Sequence, residues 1–204
     1  MKPITKSTKP IRLLPRRLAN GLLAWQATLA YISAQQSPDA LLELMAYPVE
    51  ESQAVQWSAT VSWGKKKESV RDLPSLQAAL DTLWQEVERN HVIFISEEDT
   101  VRRPSGYAPN EWIDAHTAEI LGRFIETTHA VFTSGWRVVI IYHAIESPLS
   151  RVQMRLLAEG NTVTAGGRGP ALIDATRDLY RNAAPAYAAH TMEETPTDDK
   201  DDSE

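Results

Sequence analysis

The chain has 204 residues, of which 43% are hydrophobic, and a formal net charge of −6. This length accommodates one large domain or two small ones, and the apolar content is sufficient for a packed core. The sequence contains no cysteine, which excludes disulfide frameworks, thiolate catalysis and cysteine-based zinc sites. A chain without disulfides fits a cytoplasmic location, and the sequence has no apolar run long enough to span a membrane.

The two ends of the chain carry opposite charges. The first 17 residues contain only basic charged side chains: Lys2, Lys6, Lys9, Arg12, Arg16 and Arg17. Residues 193–204 carry seven acids against Lys200. We interpret residues 1–13 as a flexible basic arm and residues 188–204 as a disordered acidic tail. Neither segment has enough apolar residues to offset the entropy lost on ordering.

The first repeat, residues 14–95, begins with a predicted helix. Its apolar residues recur at alternating steps of four and three: Leu18, Leu22, Trp25, Leu29 and Ile32. An export signal at Arg16-Arg17 is the competing interpretation, and the polar residues of this stretch disfavour it. Residues 38–49 fit either a helix or a strand. We prefer a strand because the second half of the chain has one at the corresponding place.

A strand with two tryptophans and a helix follow. Trp57 and Trp63 alternate with polar residues, which predicts that both lie on the inner face of a half-buried strand. After a turn at Gly64, a helix is predicted with Asp72 as its cap and Pro74 in its first turn. We expect both tryptophans to pack against the buried stripe of this helix, which includes Leu76, Ala79, Leu80, Leu83, Trp84 and Val87.

The second repeat, residues 111–187, has the same order of elements. An extra strand at 92–95 and a linker at 96–110 precede it, and an apolar run at 138–142 predicts a strand. A half-buried strand is predicted where Val152, Met154, Leu156 and Ala158 alternate with Arg151, Gln153, Arg155 and Leu157. Residues 162–164 form a short third strand, and a helix begins at Pro170.

The two halves align when a nearly constant number of residues separates corresponding positions. A step of 96 residues takes Pro74 to Pro170, and a step of 95 takes Tyr47 to Tyr142. We attribute the change of step to one residue inserted in a hairpin loop. The predicted fold class is therefore α+β, with two tandem α-β-β-β-α repeats whose antiparallel sheets pack as a pseudo-dimer. A single repeat of this size would be marginally stable alone.

A glycine-rich segment is a candidate anion site. Gly166, Gly167, Arg168 and Gly169 lie between a predicted strand and a predicted helix. Glycines in such a loop let backbone N–H groups converge on an anion, and an arginine can add a bidentate grip. The competing interpretation is a loop that only needs positive φ angles, and we prefer it because no Walker lysine or Rossmann pattern is present.

Other polar motifs give no catalytic or metal site. His116 and Glu119 lie three apart on a predicted helix, but Glu119 also precedes Arg123 by four, the order that favours an ion pair. The α-β-β-β-α order resembles the topology of double-stranded-RNA-binding domains, which place lysines at the start of their last helix. The helix from Pro170 has none there. We predict no catalytic residue, metal or cofactor.

These observations favour a cytoplasmic, non-enzymatic protein that binds another macromolecule, with a protein preferred as the partner and a homo-oligomer left open. The alternative is nucleic-acid binding. It would use the basic arm, namely Lys2, Lys6, Lys9, Arg12, Arg16 and Arg17, together with Arg102, Arg103 and Tyr107 of the linker. A small-molecule enzyme would need a pocket with shifted pKa values, which the sequence does not locate.

Overall fold

The computed structural model describes residues 22–35, 37–49, 54–90, 113–144, 151–158 and 162–193. Four helices and six strands follow one another in these ranges: α1 (Leu22–Gln35), β1 (Leu41–Pro48), β2 (Val55–Trp63), β3 (Lys66–Leu73), α2 (Leu76–Asn90), α3 (Ala115–Phe132), β4 (Arg137–His143), β5 (Val152–Ala158), β6 (Thr162–Gly169) and α4 (Leu172–Glu193). The order α-β-β-β-α therefore occurs twice. The predicted α+β class is confirmed, as is the strand predicted within residues 38–49.

The strands form one six-stranded antiparallel sheet in the order β3-β2-β1-β4-β5-β6. Each half of the chain contributes a meander of three consecutive strands. The meanders join at the centre of the sheet, where β1 pairs with β4 and Leu44 lies opposite Ile140. Strands β3 and β6 are consequently the two edges.

Alternate strand residues point into one core. In β1, Leu42, Leu44 and Ala46 are fully buried, whereas the residues between them are half-buried. A single apolar cluster joins such inner residues with residues of all four helices. The helices therefore cover one face of the sheet, which we call the helix face. The opposite face, which we call the open face, carries no helix in the described part of the chain.

The tryptophans lie on the helix face as predicted. Trp57 is 8% exposed and Trp63 is 2% exposed, and both belong to the core cluster with the buried residues of α2. Trp25 of α1 meets Trp84 of α2 edge-to-face, with ring centroids 5.1 Å apart. Such aromatic pairs contribute beyond the area that they bury. This pair joins α1 to α2 within the core cluster.

The glycine-rich segment is part of a strand, not a loop. Strand β6 continues to Gly169 and pairs with β5 on both sides of a register shift near Thr164, so the prediction that the strand ends near residue 164 is wrong. The physical reason is the approach of α4. A Cβ atom on Gly167 would meet the backbone of Ala175 and Leu179 at less than 3 Å. Glycine is needed here because the helix lies directly against the strand.

Two predicted helix ends differ in the structure. Ser75, rather than Asp72, caps α2, because its Oγ accepts a hydrogen bond from Ala78 N at 3.1 Å. Asp72 belongs to β3 and has a φ angle of 59°. Helix α4 continues to Glu193, past the boundary predicted at residue 187. The ring of Tyr187 packs against the core, and this contact supports the additional turns.

The step of 95 residues in the repeat alignment is wrong for the first strand of each meander, β1 and β4. A step of 95 pairs Tyr47 with Tyr142, but Tyr47 lies on the open face and Tyr142 is 1% exposed in the core. A step of 96 instead pairs Leu44 with Ile140 and Ala46 with Tyr142, all of which are buried. A shift of one residue exchanges the two faces of a strand, so burial decides between the steps.

Several predictions fall outside the described residues. They concern the basic arm, the strand at 92–95, the linker at 96–110 and the acidic residues after Glu193.

Candidate functional site

The open face is built from the strand residues that alternate with the core. Its longest row crosses all six strands in register: Ser69, Thr60, Glu43, Ile141, Gln153 and Arg168. The next row runs through Ser58, Met45, Val139, Arg155 and Gly166. Thr60 Oγ1 and Ser69 Oγ lie 3.0 Å apart, which places both hydroxyls on this face. The rows define a continuous surface across the two meanders.

An apolar stripe occupies the middle of this surface. We call it the central stripe, and it consists of Leu41, Met45, Val139, Ile141 and Leu157. Val139 is 7% exposed yet lies outside the core cluster, because it faces away from the helices. The other four residues are half-buried by neighbouring strands. The open face is therefore apolar along β1 and β4, where the halves meet.

Basic side chains surround the central stripe. The alternating strand positions of this face carry five exposed cations: Lys67 and Arg71 on β3, Arg137 on β4, Arg155 on β5 and Arg168 on β6. Within the described residues, the face also carries two carboxylates, Glu43 on β1 and Asp72 at the end of β3, where it meets Tyr47. The face is thus net positive in a chain whose formal charge is −6. Such a separation of charge creates a local field that attracts anionic groups.

The end of β3 is tied to β1 by a tyrosine. The Tyr47 hydroxyl donates to Asp72 Oδ1 at 2.8 Å, and Asp72 N donates to the same hydroxyl at 3.1 Å. Burial, together with the Asp72 carboxylate, raises the pKa of Tyr47 above its ordinary value. The phenol is therefore neutral at physiological pH and acts as a hydrogen-bond donor to the exposed Asp72 carboxylate.

Strand β6 and α4 enclose a small cleft of about 330 Å³. It is lined by Gln153, Met154, Arg155, Val163, Gly166, Gly167, Arg168 and Asp178. Two side chains of α4 also bind the outer edge of the strand. Asp178 accepts a hydrogen bond from Arg168 N at 3.0 Å, and Asn182 donates to Gly166 O at 2.7 Å.

This geometry bears on the predicted anion site. Gly166, Gly167, Arg168 and Gly169 do lie together, but as consecutive residues of a paired strand. The N–H of Arg168 is directed at the Asp178 carboxylate, which an incoming anion would have to displace. The Arg168 side chain, in contrast, is exposed on the open face opposite Gln153. Packing against α4 accounts for Gly167 and Gly169 without an anion.

All nine predicted nucleic-acid residues lie outside the described residues: Lys2, Lys6, Lys9, Arg12, Arg16, Arg17, Arg102, Arg103 and Tyr107. On α3, Glu119 pairs with Arg123 at 2.6 Å, as the spacing predicts. His116 Nε2 lies 3.3 Å from an Arg177 nitrogen. Within the described ranges no group of three or more His, Asp or Glu side chains is arranged to hold a metal ion.

The sequence did contain a signal for the open face. Arg155 and Leu157 alternate with the core residues of β5, which assigns them to the outer side of the strand. Their meaning depends on a neighbour that is distant in the chain, namely β4, where Val139 lies opposite Arg155. Alternation within one strand shows which residues point outward, but it does not show which residues of other strands lie beside them on the open face.

No family model, curated protein or solved structure matches the chain. Among the helices of the described residues, none has both the length and the apolar character needed to cross a membrane.

Proposed function

We propose that this chain is a non-enzymatic binding or adaptor protein, and that the open face is its interface with another protein. The observation that supports the proposal is the central stripe on a sheet face without a covering helix among the described residues. A sheet in a domain of this kind normally buries its apolar face against another layer. Contiguous apolar surface with a polar rim is typical of an interaction site. Such a face has the composition of a recognition surface, with an apolar centre and charges around it.

The alternative partner is a nucleic acid. A sheet that binds single strands usually presents aromatic rings on which bases stack, together with cations for phosphates. The central stripe carries no aromatic ring, and the aromatic side chains of the described open face are Tyr47, whose hydroxyl is bound to Asp72, and His143, opposite Leu41. The open face therefore favours a protein. The basic arm keeps nucleic-acid binding as the alternative function, and its affinity would fall steeply with salt.

We further propose that the halves are tandem repeats packed as a pseudo-dimer, in a cytoplasmic protein. The repeated α-β-β-β-α order supports this, as does the central pairing of β1 with β4. A step of 96 residues also superimposes the buried stripes of two helices. It pairs Leu76, Ala79 and Leu83 of α2 with Leu172, Ala175 and Leu179 of α4, and all six are buried.

Site-specific cross-linking tests the proposed interface. A photoreactive amino acid in place of Met45 should form a discrete protein adduct in cells, because this position lies in the central stripe. Ile141→Asp should abolish the adduct, since it places a charge within the central stripe, on the strand next to Met45. Ala130→Asp is the matched control, because it adds the same charge to an exposed position of α3 on the helix side.

Two results would contradict the proposal. An adduct at position 45 that nuclease treatment removes would identify a nucleic acid as the partner. An adduct that survives Ile141→Asp but not Ala130→Asp would place the interface on the helices. Circular dichroism of the purified variants shows whether both remain folded, so that a lost adduct reports on the surface.

A further inference from the structure

We infer that the open face recognises an acidic segment of a partner protein that also carries aliphatic side chains. This inference rests on the proposed function and specifies the chemistry of the partner. The central stripe would accept the aliphatic side chains, and the surrounding cations would pair with the carboxylates. Aliphatic and methionine-containing surfaces adapt to such side chains without a fixed pocket.

The placement of the cations supports this inference. Arg155 lies directly opposite Val139, so one strand spacing of about 5 Å separates its backbone from the central stripe. Arg168 lies two strands from Ile141, across Gln153. On the other side, Lys67 lies opposite Ser62, which lies opposite Leu41. Cations therefore flank the stripe on both sides, within reach of a segment that lies along it.

The charge of the face selects against other occupants. Glu43, the carboxylate within the rows, stands between Thr60 and Ile141 and has cations on strands to either side of it. A basic segment would meet five like charges, whereas an acidic segment would meet two, Glu43 and Asp72. Complementary charge of this kind raises association rates and rejects wrong partners more than it adds affinity. A nucleic acid would satisfy the cations but leave the aliphatic stripe against phosphate or sugar.

Fluorescence polarisation with defined peptides tests the inference on the full chain. The probe is a labelled 15-residue peptide, roughly half glutamate and half leucine, and the reference peptides replace all glutamates by lysine or all leucines by serine. We expect saturable binding of the glutamate–leucine peptide only, with an affinity that weakens as salt increases. Both reference peptides should bind at least about tenfold more weakly, because each lacks one of the two complementary features.

Charge reversal locates the binding site. The double variant Arg155→Glu/Arg168→Glu should weaken binding of the probe by at least about tenfold. Arg89→Glu/Arg123→Glu makes the same charge change at exposed positions of α2 and α3, on the helix side, and should leave the affinity within about twofold. Equal losses in both double variants, or no loss in either, would overturn the inference, because the open face would then have no special role.

Three other results would also overturn the inference. One is tighter binding of the lysine peptide, and another is displacement of the probe by an equal concentration of single-stranded nucleic acid. The third is probe binding that appears only after deletion of residues 194–204, which would make the acidic end of this chain the occupant. A protein cross-link at position 45 without peptide binding would reject the acidic chemistry while leaving the proposed function intact.

Discussion

Gly167→Ala should destabilise the protein because a methyl group at this position has no space. The added Cβ would lie 2.7 Å from Leu179 Cα and closer still to the backbone atoms Ala175 O and Leu179 N. These atoms belong to the α4 main chain and cannot rotate away as a side chain can. To restore an ordinary contact of about 3.5 Å, α4 must move by roughly 1 Å along much of its contact with β6.

The expected cost follows from the rigidity of that contact. Overpacking a core by one methyl group usually costs about 1–3 kcal/mol, and a displaced helix backbone places Gly167→Ala near or above 3 kcal/mol. Gly166→Ala is the matched control, one residue away in the same strand. Its added Cβ would have Met154 O at 3.8 Å as its nearest neighbour. Alanine there restricts the unfolded chain, so we expect unchanged stability or a gain of about 0.5 kcal/mol.

Urea unfolding monitored by tryptophan fluorescence measures the difference, since the chain contains six tryptophans. With a slope of about 2 kcal/mol per molar urea, a loss of 3 kcal/mol lowers the midpoint by about 1.5 M. The Gly166→Ala midpoint should remain within about 0.3 M of the unmodified protein. If both variants unfold within about 0.5 kcal/mol of each other, the close packing of α4 on β6 is wrong. Gly167 would then need another explanation, such as an anion site.

Four further outcomes are expected. Trp57→Ala should cost about 3–5 kcal/mol in the same urea assay, and a loss below about 1 kcal/mol would place this side chain at the surface. Tyr142→Phe should be neutral or stabilising by up to about 2 kcal/mol, because the buried Tyr142 hydroxyl has no hydrogen-bond partner among the described residues. A clear loss of stability would show that this hydroxyl has a hydrogen-bond partner elsewhere. Burial raises the pKa of Tyr187 to about 12, so the unfolded chain loses this proton first and the associated stability disappears between pH 10 and 12. The decrease in the urea midpoint from pH 9 to pH 11 should therefore be smaller for Tyr187→Phe than for the unmodified protein. Replacing Asp178 and Asn182 by alanine removes the contacts that cover the edge of β6, and light scattering should detect self-association.

Local patterns in the sequence predicted those helices and strands that have one buried side and one exposed side along their whole length. Trp57 and Trp63 alternate with polar residues, and the strand that they define has one buried and one open face. The stripe of α2 likewise repeats at the spacing of a helix with one buried side. In both cases the burial of each residue follows from its position within a single element. Such information is contained in a short window of sequence.

The remaining features depend on contacts between distant residues. Gly167 disrupts the apolar pattern of β6, and only the position of α4 shows that the strand continues through it. Asp72 is a good capping residue, but its partner is Tyr47, 25 residues earlier, so Ser75 takes the cap of α2. The cations of the open face come from four strands of both meanders. No short window contains the information that brings them together.

The two edges of the sheet differ in the residue that faces the adjacent helix. On the edge strand β6, Gly167 lies opposite Met154 of β5. On the other edge strand, β3, Val70 lies opposite the buried Ala59 of β2. Valine needs space that glycine does not, whereas α4 lies so close to β6 that a Cβ atom on Gly167 would meet the helix backbone. Close approach is what lets Asp178 and Asn182 reach the backbone of the edge strand. Close packing at Gly167 and Gly169, together with the polar side chains of Asp178 and Asn182, therefore accounts for the contact of α4 with this edge.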